Sequence, residues 1–273
     1  MLNRITFLTS GESHGKGLLG IIDGIPSHLE ISEDYIAYQL ARRQMGFGRG
    51  GRMKIEKDHA EIFSGVRHGK TLGSPIGLLI HNKDWQNWTK KMSVDPIDNE
   101  VKKVTLPRPG HADLAGIQKF GFDDIRNVLE RSSARETAMR VGLASICRKL
   151  LSEVNIEVGS RVIQIYNIKD NSPIPVDLTP DELSKKTDRS QVRCLDPEKE
   201  EKMVQAISEA KTEEFEAAFT QHLICNHILV QALLPGMKER GYGRVINVIS
   251  TSVKQPIPGL GVSNTIRGAV ASW

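Results

Sequence analysis

Two histidines sit beside glycines in this sequence: His14 in TSGESHGKG, residues 9–17, and His111 in RPGHADLAG, residues 108–116. Imidazole is the side chain best suited to giving or taking a proton near neutral pH, and neighbouring glycines let a backbone approach a ligand closely. Each could equally be a surface histidine on an ordinary turn, because turns are rich in Gly and Ser. Arginines add weight to the chemical reading. Arg42, Arg43, Arg49, Arg52 and Lys54 lie between Tyr35 and Ile55 with no acid among them, a local charge of +5. A second cluster, ERSSARETAMRVG at 130–142, surrounds the hydroxyls of Ser132 and Ser133 with Arg131 and Arg135. Guanidinium forks bind carboxylate and phosphate through paired hydrogen bonds. The whole describes either a solvated basic face or a pocket for a small, multiply anionic ligand with two proton donors.

Such side chains need elements to hold them. Ser32 followed by Glu33 and Asp34 predicts a capped helix that runs through Ile36 and Leu40 to Arg43 and stops at Gly46. Ser133-Ala-Arg-Glu136 has the spacing of a capping box, with Ser133 accepting from the Glu136 amide and Glu136 reaching back. The helix it starts carries an apolar stripe of Ala138, Met139, Val141, Leu143, Ile146 and Leu150, and its free N-terminal amides form an anion site. Strands are expected at 5–9, 19–23, 54–66 as a bent pair, 75–81 and 162–168. The polar stretch from Trp85 to Pro109 reads as a long loop, a kind of segment that is usually functional. GFGRGG at 46–51 matches GxGxxG formally, but a helix precedes it and a strand-like run follows, the reverse of a dinucleotide site.

At 273 residues and 39% hydrophobic, the chain holds one large domain or two small ones. A net charge of +4 is too mild to indicate nucleic acid. Cys147, Cys194 and Cys225 are far apart and form no CxxC, which fits neither a disulfide framework nor a zinc site; no metal is expected, and a reducing cytoplasm is. MLNRITFLT has no basic-then-apolar signal pattern, and no run approaches the ~20 apolar residues that cross a bilayer, so no membrane partner is expected.

Taken together, GESHGKGLLGIIDGIP, RRQMGFGR, SGVRHGKTLGSPIGLLIHNKDW, RPGHADLAG and RNVLERSSARETAMRVG, in that order, resemble the N-terminal portion of chorismate synthase over residues 1–211. The resemblance implies an α+β fold, a β-α-β sandwich with helices packed between antiparallel sheets, assembled as a homo-tetramer. It implies a 1,4-anti elimination of phosphate from 5-enolpyruvylshikimate 3-phosphate, a small phosphorylated carboxylate, giving chorismate with reduced FMN and no net redox change. Carried onto this sequence, Ser13, Arg43, Arg49, Arg108 and Arg135 would contact substrate. Arg131, Ser132 and Ser133 would contact the cofactor. Of His14 and His111, one would be the general acid and the other would stabilise the protonation state of the flavin.

The resemblance breaks off after VRCLDPEKEEKMVQAISEAKT. From there, 212–273 resembles a helix-strand fragment of a Rossmann-like short-chain dehydrogenase: a helix ending in LPGM, with Phe215, Phe219, Leu223, Val230 and Leu234 as its apolar stripe, then the GRVIN strand. Ser250 stands at that family's catalytic serine, but Ser263 and Arg267 occupy the positions of its tyrosine and lysine. Two partial domains, 1–211 and 212–273, joined near residue 212, are therefore expected, with no dehydrogenase activity and little turnover as a synthase.

Overall fold

The computed structural model describes residues 4–48, 56–97, 101–108, 111–209 and 220–243. The strands are β1 Thr6–Gly11, β2 Gly17–Asp23, β3 Glu61–Ser64, β4 Val66–Arg67, β5 Lys70–Thr71, β6 Ile76–His81, β7 Gln164–Ile165 and β8 Ile168–Lys169. The helices are α1 Glu33–Gln44, α2 Asp113–Phe120, α3 Arg126–Leu129, α4 Thr137–Glu153, α5 Pro180–Thr187, α6 Pro197–Glu209 and α7 Cys225–Glu239. They divide into two compact units, one of 1–102, 130–163 and 170–200, the other of 103–129, 164–169 and 201–273. That division differs from a boundary at 212, because 103–129 groups with the C-terminal residues.

In the first unit, side chains of β2 alternate between core and solvent: Leu18, Gly20 and Ile22 are buried, Leu19 and Ile21 exposed. The antiparallel sheet runs β1-β2-β6-β3, with Leu18 opposite Ile80 and Ile22 opposite Ile76. Its inner face packs on α1 and α4 through Ile36, Leu40, Met139, Leu143 and Ile146. A methyl group at Gly20 would lie 2.4 Å from Met139 Sδ, so a larger residue there would require the Met139 side chain to move. Each fully buried Leu or Ile there contributes about 1.5–3 kcal/mol.

Ser32 caps α1 as its position predicts, accepting from the Tyr35 amide. The capping box at Ser133 does not form. A 3-10 turn over Ala134–Glu136 brings the Arg135 amide onto Ser133 Oγ at 3.3 Å, while the Glu136 carboxylate turns to Thr9 and Arg140. A complete capping box occurs instead at the start of α5, between Thr179 and Glu182. Of the expected bent pair at 54–66, only Glu61–Ser64 and Val66–Arg67 are strands, and 54–55 lie outside the described residues. The run 162–168 is not one strand. Tyr166 takes φ +54° and folds the chain back, giving the β7–β8 hairpin.

The fold is mixed α and β, as expected. Among the described residues it has one four-stranded sheet and two two-stranded pieces, so a sandwich of helices between two large sheets is not complete there. In the second unit α2 ends at Gly121 in the left-handed conformation. The helix containing LPGM does not end there, since α7 passes through Pro235 to Glu239; of the expected stripe Leu223 is buried, Val230 half-buried and Leu234 exposed, while Phe215 and Phe219 lie outside the described residues. GRVIN lies outside the described residues except for Gly243, so the Rossmann-like strand is neither present nor absent in what is described. No helix among the described residues is long and apolar enough to cross a membrane.

Asp170, 1% exposed, ties the first unit together near its C-terminal end. Its carboxylate accepts the amides of Ser172 at 2.9 Å and Leu195 at 2.7 Å, with Arg161 3.7 Å away. Burial works against its charged form, but these hydrogen bonds outweigh it and lower the carboxyl to about 2. A depressed carboxyl contributes stability that is full above the unfolded value near 4 and fades as pH falls towards 2. Asp170→Asn is expected to cost roughly 1–3 kcal/mol at pH 7 and to flatten the acid limb between about pH 4 and pH 2. Urea titrations across that range check it; parallel wild-type and variant curves would contradict it.

Candidate active site

The loop between β1 and β2 carries His14, and its shape is imposed from outside. Gly11 enters it at φ +106°, where a side chain would strike Gly17 O at 2.3 Å. Buried Asn82 then spans the loop, donating through Nδ2 to Glu12 O at 3.0 Å and Gly15 O at 2.8 Å, and through its amide to Lys16 O at 3.1 Å. Three bonds from one residue leave little freedom to the chain between them.

Asn82 is itself oriented by Arg135, whose Nε donates to Asn82 Oδ1 at 2.9 Å. Arg135 is 7% exposed, and a buried guanidinium requires counter-charge. Asp58 supplies it through a short bond to Nη1, and Glu56 Oε2 lies 3.8 Å from Nη2. Arg43, from the last turn of α1, closes the group. Its Nη1 is 3.7 Å from Asp58 Oδ2, its Nη2 donates to Ala134 O at 2.7 Å, and its Nε to Thr137 Oγ1 at 3.1 Å.

His14 itself is fixed by Glu130, which is 1% exposed. One carboxylate oxygen accepts both the His14 amide at 2.9 Å and ring Nδ1 at 2.8 Å, while Glu130 O accepts the Ser13 amide at 2.9 Å. Trp88 stacks on the imidazole with centroids 3.8 Å apart and planes 23° apart. The indole is anchored through Nε1 to Asp84 at 2.9 Å. Ser13, buried, accepts from Ser133 Oγ at 3.1 Å. Arg131 donates to Thr9 O at 2.7 Å and Gly11 O at 3.3 Å and keeps a side chain 41% exposed. Burial opposes the charge on Glu136, yet Thr9, Arg140 and the charge of Arg131 hold its carboxyl below the usual range.

Ser13, His14, Arg43, Arg131, Ser132, Ser133 and Arg135 thus all belong to the first unit, where the bonds above join six of them. Arg135 is buried, with Nε on Asn82 and Nη1 on Asp58. The basic stretch at 35–55 is also less free than its +5 suggests, since Arg42 Nε bonds Asp188 at 2.5 Å and Arg43 is shared as above. Arg49 lies outside the described residues, so its proximity to Ser133 carries no distance. Arg108 and His111 belong to the second unit. There Arg108 forms a two-pronged pair with buried Asp113, Nε at 2.9 Å and Nη2 at 2.8 Å, and His111 is exposed. Burial pushes the Asp113 carboxyl up, but the bonds and charge of Arg108 more than reverse that and leave it lowered.

Glu56, Asp58, Asn82, Trp88 and Glu130 were not singled out by sequence reasoning. A signal existed for two of them: in EKDHA, residues 56–60, burial alternates with Lys57 and His59 outward, which puts both acids on one side.

Residues 5–217 match the family model described as chorismate synthase. The chorismate synthase of Alkaliphilus metalliredigens is 55% identical over 206 residues, covering 76% of this chain and 53% of that protein. That of Enterococcus faecalis is 53% identical over 208 residues, covering 75% and 53%, and that of Chlorobaculum tepidum is 48% identical over 215 residues, covering 77% and 54%. A crystal structure of chorismate synthase superposes with a TM-score of 0.60 at 40% identity, over 78% of this chain and 55% of that one. The chain therefore spans about half the length of the curated relatives it matches.

Removing the Arg135 guanidinium takes the closest counter-charge from buried Asp58 and Glu56. Arg135→Met is expected to cost about 3–5 kcal/mol, and adding Asp58→Asn to recover part of it. Urea denaturation of the two variants checks this; a loss below about 1 kcal/mol for Arg135→Met would contradict the network.

Proposed function

Because the chain belongs to the chorismate synthase family, we propose that its first unit carries the substrate and proton-handling part of a chorismate synthase site, a carbon–oxygen lyase acting on 5-enolpyruvylshikimate 3-phosphate. The observation that carries this reading is the His14–Glu130–Trp88 arrangement set beside the serines and arginines of 131–135. A leaving phosphate departs more readily when its developing charge meets a proton, and a positioned imidazole supplies one. Among the described residues, His14 Nε2 makes no hydrogen bond, so it is the ring atom open to a ligand. Ser13 and Arg43 line the same group of residues, and Arg49, Arg108 and His111 enter as substrate and proton-handling residues on the strength of family membership.

The cofactor proposed is reduced FMN. Arg131, half exposed, with the hydroxyls of Ser132 and Ser133, is a donor set whose chemistry suits its anionic groups, and these residues would hold it. When bound, it supplies transient electron density to the breaking allylic bond. The chain's own part is to exclude water, anchor carboxylate and phosphate, and keep a proton at His14. Family membership also supports a cytoplasmic homo-tetramer. For 213–273, the LPGM and GRVIN motifs support a short-chain-dehydrogenase-like origin without that chemistry.

The test is anaerobic phosphate release from 5-enolpyruvylshikimate 3-phosphate with reduced FMN. His14→Ala is expected to lower the rate roughly 10²–10⁴-fold while leaving the unfolding midpoint nearly unchanged. Equal release by wild type and variant would contradict the proposal. The absolute wild-type rate tests the expectation of low turnover drawn from the break in resemblance near residue 211.

A further inference from the structure

The Glu130 carboxylate does more than neutralise charge near the loop. Its Oε2 receives both the main-chain amide and ring Nδ1 of one residue, His14, at 2.9 and 2.8 Å. An ionised carboxylate only accepts, so a neutral imidazole facing it must carry its proton on Nδ1. The second constraint is Trp88, parallel to within 23° and 3.8 Å away, which blocks rotation of the ring out of that plane. Trp88 cannot easily yield, because its own Nε1 is bonded to Asp84 and Lys91 Nζ sits 4.9 Å over its ring.

We propose that Glu130 is a positioning residue that locks His14 in the Nδ1–H tautomer, with Trp88 fixing the ring plane, so that Nε2 is the single atom through which His14 exchanges a proton. The inference rests on the reading of His14 as proton donor in one respect only, the use made of Nε2; the tautomer itself is independent of it. In the proton cycle, Nε2–H of the charged ring gives its proton to the departing phosphate oxygen. The ring returns to the neutral Nδ1–H form, and Nε2 is reprotonated from solvent. No bond at Nδ1 changes, so the Glu130 contact persists throughout. A glutamine at 130 could present either its oxygen or its amide to the ring and would stop selecting one tautomer. An aspartate keeps the charge one methylene shorter and should restore the selection in part.

Nitrogen-15 NMR of ring-labelled histidine, with His14 assigned by comparison with His14→Ala, reads the tautomer directly at a pH where the same spectra show the ring neutral. Wild type is expected to be overwhelmingly Nδ1–H. Glu130→Gln should show mixed or reversed tautomers with unchanged far-ultraviolet circular dichroism, and Glu130→Asp should move back towards wild type. A wild-type His14 protonated mainly at Nε2 would overturn the proposal, and so would a Glu130→Gln spectrum identical to wild type; the first needs no Glu130 variant to fold. Kinetics separate the two readings. If phosphate release is His14-dependent, Glu130→Gln should lower kcat about 10–100-fold with KM changed less than about threefold. If phosphate release is independent of His14 while the tautomer is locked as described, the functional reading fails and the positioning assignment stands.

Discussion

A buried guanidinium constrains everything around it. Arg135 sits 7% exposed between the sheet and the helices, and its charge is tolerable only because Asp58 and Glu56 are buried with it. That requirement draws residues 56–58 against the 3-10 turn before α4, and brings Arg43 from the end of α1 to share Asp58. The one remaining prong of Arg135, Nε, fixes the side-chain oxygen of Asn82, which leaves the Asn82 amide group no choice but to face the β1–β2 loop. The shape of the histidine loop is therefore set by a buried charge. Replacement by an apolar core would be no less stable in principle, but would leave Asn82 free to rotate.

The site consequently has a buried inner layer and an outer layer with exposed atoms. Arg135, Asp58, Glu56, Asn82 and Glu130 are buried; His14 and Arg131 keep exposed atoms. Such layering is what proton transfer demands, since an imidazole displaced by an ångström loses most of its effect. It also explains why a loop rich in glycine can serve as a rigid platform: Gly11 supplies a turn that no other residue could make, and the hydrogen bonds of Asn82 and Glu130 then remove the freedom that glycine introduces.

Much of this was legible in the chain. Strand β2 alternates with period two, β6 reads as a short apolar run, and α1 is marked by Ser32 with two acids behind it. The failures have definite causes. VIQIYNI reads as a strand because nothing in its composition marks Tyr166 as a left-handed turn residue. The capping box at 133–136 fails because Thr9, Arg131 and Arg140, all outside the motif, compete for Glu136. Counting charges in a window gave +5 for 35–55, whereas Asp188 and Asp58 answer Arg42 and Arg43 from elsewhere in the fold. His14 could be picked out by its glycines, but Glu130 stands 116 residues away and becomes its partner only through tertiary structure.

Asn82 is the joint on which this account turns, and amide hydrogen exchange in Asn82→Ala tests it most directly. Losing its two side-chain bonds to the loop should speed exchange at the Ser13, His14 and Gly15 amides by at least about tenfold, equivalent to ~1.4 kcal/mol of local opening, while the amides of β2 and β6 keep their protection. Unchanged exchange at Ser13, His14 and Gly15 would contradict the claim that the buried arginine, acting through Asn82, holds the histidine loop in place.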